Sequence, residues 1–214
     1  MPWLLIPLTY FLGSVSFAYL AGRAKGIDLR QHGSGNLGAT NAGRVLGGRW
    51  FAVVFIADVL KGLLPVSAAH VLSCPPEHRP WLLLATATAA ILGHVLTCFH
   101  GFKGGKAVAT SLGVIAALVW PVALVGLGVW LLVWFLGWQL GKLGKAGAVG
   151  LASVIAALAV PPARLWLSSE PWSSTQLPIT IFLILLAFLV VIKHRANLQK
   201  LFQPRSSPEK TSAS

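Results

Sequence analysis

The sequence predicts an all-α integral membrane protein with seven transmembrane helices, the N-terminus outside and the C-terminus cytoplasmic. Three observations predict it. First, 56% of the 214 residues are hydrophobic and only 10% are charged, against about 25% charged in soluble domains. Second, apolar runs of about 18 residues or more recur, each long enough to cross a bilayer core. Third, the basic residues sort to one side of those runs, which orients a membrane protein.

Residues 3–21 form the first expected span. No basic n-region or small-x-small cleavage site precedes it, so the run is read as a retained helix and not a signal peptide. A polar, glycine-rich loop follows from Gly22 to Arg49. The second span is 50–72, interrupted by Asp58 and Lys61, and Cys74 to Pro80 is a turn. Residues 81–100 are the third span, followed by the turn Gly101-Phe102-Lys103-Gly104-Gly105-Lys106. The run from 107 to 140 is too long for one span. Pro121, after Trp120, is its expected break, giving spans at 107–119 and 121–139. Residues 142–147 are polar, 148–166 form the sixth span, ending near Pro161-Pro162, and 179–193 form the seventh. One domain over 1–202 and a disordered Ser-rich tail over 203–214 complete the chain.

Seven spans place 22–49, 101–106, 140–147 and 193–214 on one side, with fourteen of the seventeen Lys and Arg residues. These are Arg23, Lys25, Arg30, Arg44, Arg49, Lys103, Lys106, Lys142, Lys145, Lys193, Arg195, Lys200, Arg205 and Lys210. The opposite side holds Arg79 and Arg164, and Lys61 lies within a span. Net charge is +12 and the pI about 10.6. No nucleic-acid partner is expected, because the bases cluster at span ends without aromatic interleaving. Cys74 and Cys98 lie at opposite ends of one span, about 30 Å apart by helical rise, too far for a disulfide.

Three polar segments fall on the basic side. In the Gly101–Lys106 turn, adjacent glycines expose N–H groups and two lysines bracket them. The helix beginning at Ala107 points its N-terminus there, which suits an anion. The turn does not match the G-x-x-x-x-G-K-[ST] frame, and Ala107 stands where Ser or Thr would hold magnesium. As plain membrane anchors the lysines would not need the glycines. The first loop, Gly33-Ser34-Gly35-Asn36-Leu37-Gly38-Ala39-Thr40-Asn41-Ala42-Gly43-Arg44, offers hydroxyls, amides, N–H groups and one guanidinium, a set that binds phosphate oxygens. An ordinary turn with Thr40 or Asn41 capping a short helix also fits. The third segment is Lys193-His194-Arg195-Ala196-Asn197-Leu198. His194 and Asn197 share a helix face, although cations at a helix C-terminus also simply suit its dipole.

Asp58 and Lys61 lie roughly 12 and 16 Å into the second span. Such ions either neutralise each other or face a cavity. His94 could face that same cavity or be a satisfied core histidine. The acids are five, Asp28, Asp58, Glu77, Glu170 and Glu209, with no pair suited to metal or acid/base work. No His-x-x-x-x-Asp device or Ser-His-Asp set is present. No metal or cofactor is expected, and any site works by binding anions and stabilising charge.

Together the segments resemble the bacterial acyl-phosphate:glycerol-3-phosphate acyltransferase family, PlsY. Ser34-Gly35-Asn36 through Arg44 is similar to its first motif. Gly93-His94 with Phe102-Lys103-Gly104-Gly105-Lys106 and Val108-Ala109-Thr110 is similar to the second. His194-Arg195, Asn197 and Leu198 are similar to the third, and Asp58-Val59-Leu60-Lys61-Gly62 to a further family stretch. The resemblance implies an enzyme that moves an acyl group from acyl phosphate to the 1-hydroxyl of sn-glycerol 3-phosphate. The products are lysophosphatidic acid and phosphate, in the first step of phospholipid synthesis.

It implies that Arg44, Lys103, His194 and Asn197 hold glycerol 3-phosphate. Ser34, Asn36, Thr40, Asn41 and the N–H groups of Gly35, Gly38, Gly104 and Gly105 would take the acyl phosphate. Lys106, Thr110, Asp58, Lys61, His94 and Arg195 would support the substrates. Three departures stand out: Ala107 replaces a usual glycine, Ala196 an acidic residue, and Gly150 a serine. The implied setting is the bacterial inner membrane, with the site on the cytoplasmic side, membrane lipid around it and a monomer as default. A transporter or channel for an anionic solute is the rival reading. The gathering of polar motifs at one face and the lack of an inverted repeat count against it.

Overall fold

In an apolar setting backbone N–H and C=O groups must pair internally, so long apolar runs become helices. The structure, a computed structural model, describes residues 1–140 and 144–202 and holds helices and turns, with no strand among them. The helices are α1 (Leu5–Ser14), α2 (Phe17–Ala24), α3 (Ala39–Leu46), α4 (Gly48–Val71), α5 (Arg79–Val95), α6 (Val108–Gln139), α7 (Gly144–Leu167), α8 (Leu177–Lys193) and α9 (Arg195–Phe202). By length and composition, five stretches can cross a membrane: Pro2–Ala24, Gly48–Val71, Pro76–His100, Val108–Gln139 and Gly147–Leu167. The apolar helix Leu177–Lys193 is shorter. Lys142, Arg205, Lys210 and the 203–214 tail lie outside the described residues, as do the side chains of Lys145 and Lys200.

Three breaks differ from the expected spans, and each has a physical cause. The first span is not continuous: Val15 is extended (ψ 119) and Ser16 restarts the chain as the N-cap of α2, its side chain accepting from the Tyr19 N–H. The carbonyls freed by this break find buried donors. Thr97 Oγ1 donates to the Ser14 carbonyl at 2.6 Å and Lys61 Nζ to that of Val15 at 2.9 Å. The long run breaks as expected, but at Val119 (φ −150, ψ 76), two residues before Pro121. Proline denies a bond to the carbonyl four residues back, and that carbonyl, of Ala117, lies 3.0 Å from His70 Nε2 of α4. The sixth span does not end at Pro161-Pro162, since α7 continues to Leu167. Val160 and Ala163 are buried in the main apolar cluster, and that packing outweighs two lost helix bonds.

Small residues let the helices approach. A Cβ on Gly113 would lie 2.0 Å from the Val59 carbonyl oxygen, and one on Gly62 2.4 Å from that of Thr110, so α4 and α6 meet backbone to backbone. Gly13 and Gly93 do the same between α1 and α5. A second apolar cluster, with Ala18, Leu29, Leu37, Ala42 and Val54, fastens the first loop and α3 onto α2 and α4. That cluster fixes the position of the glycine-rich segment.

Candidate active site

The first loop is built around Asn41. Its side chain is buried in the first turn of α3; Oδ1 accepts from the Ser34 N–H at 2.8 Å, and Nδ2 donates to the carbonyls of Leu29 and His32 at 3.1 and 3.0 Å. Arg44 Nη1 reaches the same Oδ1 at 3.4 Å. Asn41 is thus a strut of the loop, neither a helix cap nor an amide left over for substrate. Gly33 (φ +64) permits the turn, since a Cβ there would come 2.3 Å from Asn41 Oδ1. Leu29 and Leu37, both buried, anchor the loop on either side.

The Gly-Lys turn corrects a second expectation. The Gly104 and Gly105 N–H groups are occupied, donating to the carbonyls of Val95 and His94 at 3.1 and 3.0 Å. They do not point at an anion. The glycines are there for close approach: a Cβ on Gly104 would lie 2.0 Å from the His94 carbonyl oxygen, and one on Gly105 2.1 Å from His94 Nε2. His94 itself is buried, with Nδ1 3.2 Å from Thr110 Oγ1 and 3.8 Å from Asp58 Oδ1. Asp58 pairs with Lys61 at 2.9 Å.

Helix N-termini supply the donors instead. α3 begins at Gly38 and α6 at Ala107, and neither has a side-chain cap. Gly38, Ala39 and Thr40 border the same cavity as Ala107, Val108 and Ala109. Unpaired first-turn N–H groups with the positive end of a helix dipole form an anion site.

The third segment closes the cavity. His194 caps α8, and because a carbonyl only accepts, its Nδ1 carries the proton it donates to Val190 at 2.8 Å. Burial pushes the imidazole down to about 4, with Lys106 acting in the same sense and the Val190 bond opposing. The ring is therefore neutral at pH 7, with Nε2 as acceptor. Lys106 Nζ donates to Asn197 Oδ1 at 2.5 Å, tying the second segment to the third. Gly150 of α7 leaves room for this, since a Cβ there would stand 2.5 Å from Asn197 Nδ2.

The result is one cavity of about 670 Å³ lined by Ser34, Asn36, Gly38, Thr40, Asn41, Arg44, Asp58, His94, Lys106, His194 and Asn197. Lys103 and Arg195 are exposed and do not line it, while Gly35, Gly104, Gly105, Lys61 and Thr110 stand behind its wall. Gly150, where the family has a serine, also lines it, as do Phe51, Phe55, Trp130, Gly147 and Ser153, which no motif marked. The Trp130, Trp134 and Trp138 stack was legible as an i, i+4, i+8 stripe. Its junction with Phe55 of α4, ring centroids 6.3 Å apart, was not. At Phe55, Val108, Trp130 and Ser153 the cavity adjoins an apolar groove between α6, α7 and α8. Among the described residues no group of three His, Cys, Asp or Glu side chains is placed to hold a metal.

Comparisons with known proteins show the family. The family model for glycerol-3-phosphate acyltransferase matches residues 3–204. A glycerol-3-phosphate acyltransferase of Synechococcus sp. (strain JA-3-3Ab) is 39% identical over 90% of this chain and 85% of its own length. One of Synechococcus elongatus is 43% identical over 91% and 88%. The crystal structure of PlsY, an integral membrane glycerol 3-phosphate acyltransferase, in its glycerol 3-phosphate form superposes with a TM-score of 0.75 at 35% identity, covering 94% of this chain and 91% of the other. The lysophosphatidic acid form gives 0.72 at 34% identity. The chain therefore belongs to the glycerol-3-phosphate acyltransferase family.

Proposed function

We propose that this enzyme moves a fatty acyl group from acyl phosphate to the 1-hydroxyl of sn-glycerol 3-phosphate, releasing lysophosphatidic acid and inorganic phosphate. The observation that carries this reading is the convergence of Arg44, Lys106, two uncapped helix N-termini, His194 and Asn197 on a single cavity that adjoins an apolar groove. Phosphate groups fit the first part and an acyl tail the second.

Arg44, His194 and Asn197 hold glycerol 3-phosphate, and Lys103 adds positive potential from the exposed turn. Ser34, Asn36, Thr40 and the first-turn N–H groups of α3 and α6 take the acyl phosphate. Acyl phosphate is already activated, so no covalent enzyme intermediate is needed. The glycerol oxygen bonds to the acyl carbon, the acyl–phosphate C–O bond breaks, and the hydroxyl proton passes to a phosphate oxygen of the donor. The protein aligns the two substrates and stabilises the developing charge.

The setting extends the reading. The first stretch, α4, α5, the two halves of α6, α7 and α8 make seven spans of one monomeric domain over 1–202, followed by the 203–214 tail. The N-terminus lies outside, and the cavity opens on the cytoplasmic side of a bacterial inner membrane, where the polar substrate is dissolved and the lipid product is retained.

The test uses purified protein in detergent micelles with labelled glycerol 3-phosphate and palmitoyl phosphate. Micelles permit acyl transfer and abolish transport. Labelled lysophosphatidic acid is expected, with acyl-CoA and acyl carrier protein inactive as donors. Arg44→Ala is expected to lose about a hundredfold or more in rate and Lys103→Ala, acting from outside the cavity, a smaller factor, while both still insert into the membrane. Near-normal turnover in both variants sinks the reading.

A further inference from the structure

The apolar groove has a definite depth. Its mouth residues Val108, Trp130 and Ser153 are shared with the polar cavity. Its innermost wall positions on the same helices are Ile115, Ala123 and Val160, each seven residues further on. Seven residues are about 10 Å of helix, so three wall segments, the two halves of α6 and one stretch of α7, end at one depth. The polar and apolar spaces adjoin at these shared residues, and one occupant suits both: a chain whose carbonyl end lies with the phosphates and whose tail is hydrocarbon.

Gly126 interrupts the α6 wall one turn inward of Trp130. It is buried, and a Cβ there would meet only Val160 Cγ2, at 3.5 Å, an ordinary contact. Unlike Gly62 and Gly113, it is not needed for two backbones to touch. What its missing side chain leaves is open space in the groove. We propose that Gly126 is a specificity-determining residue for acyl-chain length, keeping the groove open to the part of a long acyl chain beyond its first few carbons. This rests on the acyl phosphate reading above.

A leucine at 126 projects across the groove roughly 6 Å from the mouth. A short tail ends before it. A long tail must turn aside, displacing the carbonyl from the attacking hydroxyl, where misplacement by an ångström is costly. The measurement is kcat/KM for palmitoyl phosphate and for hexanoyl phosphate in the full-length protein. Gly126→Leu should lower the palmitoyl-to-hexanoyl ratio at least tenfold while hexanoyl transfer stays near that of the unaltered protein. Ala157→Leu, on the α7 wall, should move the ratio the same way. Gly128→Leu, at an exposed position with nothing within 4 Å of its Cβ, should leave the ratio unchanged.

Equal loss on both donors, or an unchanged ratio in Gly126→Leu and Ala157→Leu, overturns the proposal. If Gly126→Leu yields no folded protein, the ratio of Ala157→Leu decides by the same criterion. Failure of the unaltered protein to use any acyl phosphate overturns the functional reading instead.

Discussion

At pH 7 the His194 imidazole is neutral, because burial holds it near 4 and its Nδ1 proton is committed to the Val190 carbonyl. Its Nε2 can accept the bond of a glycerol hydroxyl but is too weak a base to keep the proton. A phosphate oxygen, with a second pKa of about 6, is the better acceptor. The expected kcat/KM profile therefore falls on the acid side near pH 6, as the phosphates protonate. The residual activity of His194→Ala should fall at that same pH. A limb that vanishes in the variant would assign the proton to the imidazole. The sign for folding is separate: the folded value lies below the ordinary 6.5, so protonation favours the unfolded chain and stability drops as pH falls from 6.5 towards 4. Ala107 is a second local constraint. Its φ of 61 costs an L-residue about 1 kcal/mol, and it stands at the uncapped start of α6, where the anion is proposed to bind.

Between elements, the site depends on side chains at which one helix meets two others. α9 reaches the cavity because Asn197 lies against Gly150 of α7 and bonds Lys106 at the start of α6. Gly150→Ala forces the Asn197 amide aside, since its Cβ would stand 2.5 Å from Asn197 Nδ2. The expected result is a rise of about tenfold in KM for glycerol 3-phosphate, with KM for acyl phosphate unchanged. Unchanged KM values for both substrates would show that Asn197 does not depend on that seat. On the other side of the cavity, Asp58, Lys61, His94 and Thr110 link α4, α5 and α6, and Lys61 also holds the broken end of α1. Asp58 does both things that intramembrane ions do: it pairs with Lys61 and it borders the cavity.

For the whole molecule, two cysteines provide a direct test of the proposed orientation. Cys74 and Cys98 are free and partly accessible, and they flank α5 at its opposite ends. With the N-terminus outside, Cys74 faces the exterior and Cys98 the cytoplasmic side. A membrane-impermeant maleimide should label Cys74 in intact cells and Cys98 only in inverted vesicles. The reverse pattern would invert the proposed topology, and labelling of both from one side would break the span count.

The sequence alone determined that the chain is helical and membrane-embedded, where its polar segments fall, and which family they resemble, because hydropathy, charge placement and short motifs are local properties. It also located the break before Pro121, since proline acts on its own helix. It could not show that Asn41 and the Gly104 and Gly105 N–H groups are consumed inside the protein, that Lys106 and not Lys103 lines the cavity, or that Ser16 divides the first span. Those outcomes depend on partners dozens of residues away: hydrogen bonds are exclusive, and only the packed fold decides which donor meets which acceptor.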